Sequence, residues 1–126
     1  MVLRQRHASL CRSYPWETCA GENAVVPVLW FYEASAVIAR AQNRGTLALA
    51  AARAFIVEPQ SLDIRADEES ATRILTDVHG LALTHGLTSY DAAYLEVALR
   101  RNLPLATLDA DLVQASKNAG VTVLEA

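Results

Sequence analysis

The sequence predicts an α/β fold, a parallel sheet flanked by helices, from three observations. Short β-branched runs alternate with Ala/Leu-rich stretches of ten or more residues from Asn23 onward. Strands separated by stretches of that length need helical crossovers, which is the pattern of a parallel sheet with helices on both faces. Punctuation falls between the runs, at Asn43-Arg44-Gly45, Pro59, Gly86, Asn102 and Gly120.

In chain order, Ala24-Val25-Val26-Pro27-Val28 reads as a strand whose proline suits an end or an edge. Leu29 to Asn43 reads as a helix, and Thr46 to about Val57 as a second one closed by Pro59. Ser61-Leu62-Asp63-Ile64-Arg65 alternates as a strand does. Asp67-Glu68-Glu69 then places acids where a helix macrodipole favours them, at the start of a helix running to His85-Gly86. Thr88 opens a helix that ends near Asn102, Leu103 to Leu108 forms a strand, Ala110 to Ala119 a helix, and Val121 to Leu124 a last strand.

Residues 1–22 stand apart as an atypical N-terminal segment, holding Cys11, Cys19 and Trp16 with no periodicity, against a domain over residues 23–126. The abrupt change at Asn23 suggests a frameshift or misplaced start. Resequencing of the locus and mass spectrometry of the mature N-terminus test this. The cysteine spacing matches no zinc pattern.

Bulk composition limits the function classes. At 126 residues, 52% hydrophobic and 20% charged, the chain is expected to be one soluble, cytoplasmic domain. No apolar run approaches the roughly 18 residues of a membrane span, and no secretory signal is read at the N-terminus. The net charge of -3 argues against gripping nucleic acid by bulk electrostatics. An acidic site that reaches phosphates through bound cations stays open.

Three acids carry the chemical interest. Asp109 follows Leu105-Ala106-Thr107-Leu108 at a strand end, where open α/β sheets bind ligands; it is equally placed to be a helix N-cap. Asp91 lies three residues after Thr88, as the acid of a variant capping box or as an acid facing a cavity. Glu33 interrupts an apolar helix, so it needs a donor, a cation such as Arg40, a metal, or an outlet to solvent. Asp111 reads first as an acid complementing the helix dipole. Oxygen-only ligands suit hard ions, so the cofactor expected, were these acids to meet, is Mg²⁺ or Mn²⁺. The helical region from Trp30 to Phe55 offers enough large apolar residues for a partner surface, although burial in the core explains most of them as well.

The stretches Gly86-Leu87-Thr88-Ser89-Tyr90-Asp91-Ala92-Ala93-Tyr94 and Leu103-Pro104-Leu105-Ala106-Thr107-Leu108-Asp109-Ala110-Asp111 strongly resemble the C-terminal half of VapC-type PIN domains. Ala24 to Ala34 resembles that family's second strand and the helix after it. The resemblance implies a PIN-like three-layer domain with an acidic cluster at the C-terminal strand ends. Glu33, Asp91 and Asp109 would be its catalytic, ion-holding acids, and Asp111 an assisting one. It further implies a metal-dependent endoribonuclease toxin cutting cellular RNA such as tRNA, neutralised by a cognate antitoxin and commonly a homodimer.

The family's first strand, which is central to the sheet and ends in an aspartate, is absent or altered here. Met1-Val2-Leu3 leads instead into Arg4-Gln5-Arg6-His7, and Arg4 near the ion position would repel a cation. An inactive PIN-fold module that binds antitoxin or RNA without cleavage is therefore the alternative. A receiver-like phosphoacceptor at Asp109 would want an acidic pair after the first strand, and none is present.

Overall fold

The computed structural model describes residues 2–5, 23–61, 64–69 and 71–124. Cys11, Cys19 and Glu17 lie outside the described residues. The chain is a mixed α/β fold. Its strands are β1 (Val2–Gln5), β2 (Asn23–Pro27), β3 (Ile64–Asp67), β4 (Leu105–Ala106) and β5 (Val123–Leu124), in the sheet order β3-β2-β1-β4-β5. The helices are α1 (Leu29–Asn43), α2 (Leu49–Ser61), α3 (Ala71–Arg73), α4 (His79–His85), α5 (Ser89–Arg101) and α6 (Ala110–Asn118), with a π segment (Ile74–Val78) joining α3 to α4. Among the described residues no helix is long and apolar enough to cross a membrane.

The sheet is parallel as expected in two pairings, β2 with β3 and β4 with β5. The exception is its centre. Val2–Gln5 fills the slot between β2 and β4, but runs antiparallel to both. A parallel neighbour of β2 would need a crossover of about a dozen residues or more, usually a helix. The first segment enters the sheet with its direction reversed.

Local signals account for the helix ends. Thr88 caps α5 with its side chain, and Asn102 closes the helix in the left-handed region at φ 52°. Gly86 ends α4 at φ 66°, a conformation that other residues adopt at a cost. Helix α5 is the buried axis of the domain, with every residue from Ala92 to Ala98 inside. Its Tyr94, Leu95 and Val97 pack with Val25, Leu105, Leu112 and Val121 in the core.

Several expectations shift. Helix α2 starts later than Thr46 and continues past Pro59 to Ser61, although a proline beyond the first turn forfeits one N–H bond and crowds the preceding turn. Strand β3 begins at Ile64 rather than Ser61. Strand β4 keeps only two of the six residues expected, since Thr107 and Leu108 already belong to the approach to α6, with Leu108 strongly exposed. The apolar side chains of α1 and α2 are not mostly buried either. Helix α1 has no buried residue, and Tyr32, Val37, Leu49, Ile56 and Val57 stand in solvent.

Candidate functional site

Tyr94, one turn after Asp91 in α5, hydrogen-bonds Glu33 of α1. At the start of α5 the Thr88 hydroxyl accepts a hydrogen bond from the Asp91 backbone N–H at 3.1 Å and donates to Asp91 Oδ2 at 2.6 Å. Tyr94 lies three residues further on, hence on the same side of the helix. Its ring is buried, and its hydroxyl donates to Glu33 Oε2 from α1. Burial pushes the Tyr94 hydroxyl up from its ordinary pKa, and the charges of Glu33 and then Asp91 push it further in the same direction. Two carboxylates from different helices therefore act on one buried phenol. Glu33 itself is exposed, not buried as its apolar neighbours suggested, and its partner is Tyr94 rather than Arg40.

Asp109 and Asp111 sit at the start of α6. Asp109 caps that helix, its Oδ1 accepting from the Leu112 N–H at 2.9 Å, while its own N–H donates to Thr107 Oγ1 at 3.1 Å. Asp111 lies in the first turn and is exposed. Among the described residues no three His, Cys, Asp or Glu side chains are grouped so as to hold a metal ion. The structure joins Glu33 to Tyr94 of α5, and leaves Asp91 in the cap of α5 and Asp109 and Asp111 at the start of α6. The donor set still suits a hard ion, since Mg²⁺ is often held by one or two carboxylates and keeps several waters.

Arg4 requires a correction. Its Cα pairs with Ala24, at the start of β2, whereas α1 and Glu33 follow the other end of that strand. Reversal of β1 carries Arg4 away from the edge where α1 and α5 present their acids. Val2–Gln5 holds no acid, so β1 delivers none to that edge in either direction.

A second charged cluster lies at the other end of α5, and Asp67 is its centre. Read as a helix-start acid, Asp67 instead ends β3, 1% exposed, between Arg100 and Arg101. Arg100 Nη2 donates to Asp67 Oδ1 at 2.5 Å, and Arg101 Nε donates to Oδ2. Arg100 Nε also reaches Glu96 Oε1 at 2.8 Å, and Arg73 Nη1 reaches the same oxygen at 3.2 Å. Burial alone would raise the Asp67 pKa, but the hydrogen bonds and charges of the two arginines outweigh it and hold the carboxyl below its ordinary value. A groove of about 590 Å³ opens beside Arg73, Asp77, Glu96 and Arg100, and neither Glu33, Asp91 nor Asp109 lines it.

Glu69 is the strained member of this cluster. Its Oε1 is buried without a hydrogen-bond partner among the described residues. Burial, then Glu96, then Asp67 push its pKa above the ordinary 4.5. A carboxyl whose pKa rises on folding penalises the fold above that raised value, and the penalty disappears below the unfolded one. Glu69→Gln is therefore expected to raise Tm at pH 7 by about 2–4 °C. The gain should vanish near pH 4, as thermal denaturation at the two pH values will show.

No known family model matches the chain, and a search of curated proteins returns no match.

Proposed function

We propose that this chain is a PIN-like, VapC-type domain that cleaves cellular RNA, tRNA being the usual target class, with the help of Mg²⁺ or Mn²⁺. The observation that carries this reading is the hydrogen bond by which Tyr94, three residues after Asp91 in α5, reaches Glu33 of α1. It joins the two sequence stretches that resemble the family. In this reading Glu33 and Asp91 are the carboxylates that hold the ion, and Asp109 contributes from the end of the β4 segment. Thr88 orients Asp91 by its hydrogen bond. When bound, a divalent ion activates water and neutralises charge developing on a phosphodiester. With a net charge of -3, the chain's own acids cannot attract RNA, so the phosphate must be met through the cation. In this reading the chain is a cytoplasmic toxin, and the exposed apolar side chains of α1 and α2 would be the surface that meets an antitoxin or a second copy.

One observation favours a second reading, an inactive module that binds antitoxin or RNA without cutting it. The reversed β1 supplies no acid at the site edge, and Asp109 already serves α6 as a cap. Incubating the purified chain with RNA in millimolar Mn²⁺ or Mg²⁺ separates the two. Cleavage that stops on chelation with EDTA is expected. RNA left intact over long incubation, with no heat of ion binding in calorimetry, would give way to the inactive module.

A further inference from the structure

We infer that Glu69 is a proton-operated latch: protonated, it lets the start of the helical run from α3 through the π segment close onto α5, and ionised, it loosens that run. The latch belongs to the charged cluster around Asp67 and does not depend on the proposed RNA cleavage.

Charge, more than apolar burial, fastens this run at its start. Helix α3 has no buried residue, and the π segment buries only Val78 at its far end, while Ile74 and Leu75 stand exposed. Arg73 of α3 reaches across to α5, its Nη1 donating to Glu96 Oε1 at 3.2 Å and to Asp77 Oδ2 at 3.2 Å. Among the described residues, Arg73, Arg100 and Arg101 of the cluster are matched by Asp67, Asp77 and Glu96, each of them ion-paired. Glu69 is the carboxylate in surplus, with Oε1 buried and unpartnered among the described residues. It stands two residues after Asp67 and four before Arg73. Its charge therefore repels Glu96 and Asp67 and competes with them for Arg100 and Arg73. A buried carboxylate without a partner is costly when ionised, and either a proton or water relieves it. Burial and the two neighbouring acids hold its pKa above the ordinary 4.5, so the closed run favours the proton. Above that raised value the closed form is penalised, and water is reached by local opening of the stretch with the fewest buried apolar contacts, residues 71–78. Arg65, Glu68, His79 and His85 are the other charged or titratable side chains of the adjoining segments. The run also forms one wall of the groove beside Arg73 and Asp77, so its opening reshapes that groove.

The test is hydrogen exchange of the full chain, read by mass spectrometry at pH 4 and pH 7 and corrected for the intrinsic pH dependence of amide exchange. In the wild type, protection over residues 71–78 is expected to be lower at pH 7 by about threefold or more, while α6 keeps the same protection at both. Glu69→Gln removes the charge and keeps the shape of the side chain, so protection of residues 71–78 should not differ between the two pH values. Glu69→Ala carries the same expectation with no polar group to bury, and serves if the glutamine variant folds poorly. His79, His85 and the other acids are unchanged in both variants, so any response of their own persists there. A wild-type fall confined to this run and lost in the variants supports the latch. Equal protection at both pH values in the wild type, a fall that survives in both variants, or a fall shared by α6 would overturn it.

Discussion

Asp91→Asn is expected to remove metal-dependent RNA cleavage while leaving the fold almost intact. The two effects separate because the observed cap role and the proposed ion-holding role of the side chain depend on different properties. Its part in the start of α5 needs an acceptor for the Thr88 hydroxyl and an unaltered backbone N–H donating to Thr88 Oγ1, and asparagine keeps both. What is lost there is a charge near a helix N-terminus, worth about 0.5 kcal/mol, so Tm should fall by about 2 °C. Holding a hard cation needs the negative charge itself. Ion-assisted stabilisation of a phosphodiester transition state amounts to several kcal/mol, so the cleavage rate should drop on the order of 100–1000-fold. The measurement is the rate of RNA cleavage in Mn²⁺, alongside a melting curve of the same preparation. Cleavage at the wild-type rate would remove Asp91 from the site. Asp109→Asn sharpens the comparison, since asparagine caps helices about as well as aspartate. A matching loss of rate would put Asp109 with the pair, and an unchanged rate would leave it a cap.

How much of this was legible depended on how local each signal is. The ends of α5 and α6 follow from Thr88, Asn102 and Asp109 acting within a turn of themselves, and the structure has them at the expected positions. The direction of β1 is not local. Val2 and Leu3 satisfy a strand either way up, so their own residues do not specify the antiparallel pairing that the structure shows. Of the outlets open to Glu33 in the sequence, a donor and solvent are the ones the structure shows: it is exposed and accepts from Tyr94. An apolar stretch reads as buried on all sides, yet α1 shows much of its apolar surface to solvent. Glu96 was the anomaly passed over. It is an acid in the middle of Ala92–Ala98, the most buried run of the chain, and stands one turn before Arg100. The same logic applied to Glu33 would have marked it and pointed to the paired arginines at the end of that helix. Asp67 gave no such sign, because an acid before a helix is ordinary until the tertiary fold buries it.

Asp67→Asn tests how far that buried cluster holds β3 to the end of α5. Removing one partner of a buried ion pair commonly costs about 3–5 kcal/mol, because the remaining charge loses its counter-charge without regaining water. Here the cost should be smaller. The Arg101 side chain is 45% exposed and can turn to solvent, and Arg100 keeps Glu96. We therefore expect a loss of about 2–3 kcal/mol at pH 7, or a fall in Tm of about 6–12 °C. The pH dependence fixes the mechanism. The carboxyl titrates below its ordinary 3.8 in the folded chain, so its contribution is full above that value and drains away as pH falls through the folded pKa. Wild type and variant should accordingly converge in urea denaturation as the pH falls through the lowered folded pKa of this carboxyl. A gap that persists undiminished into acid would assign the loss to packing of the amide rather than to charge, and Arg101→Gln, which should cost less than Asp67→Asn at pH 7, would then cost nothing measurable at any pH.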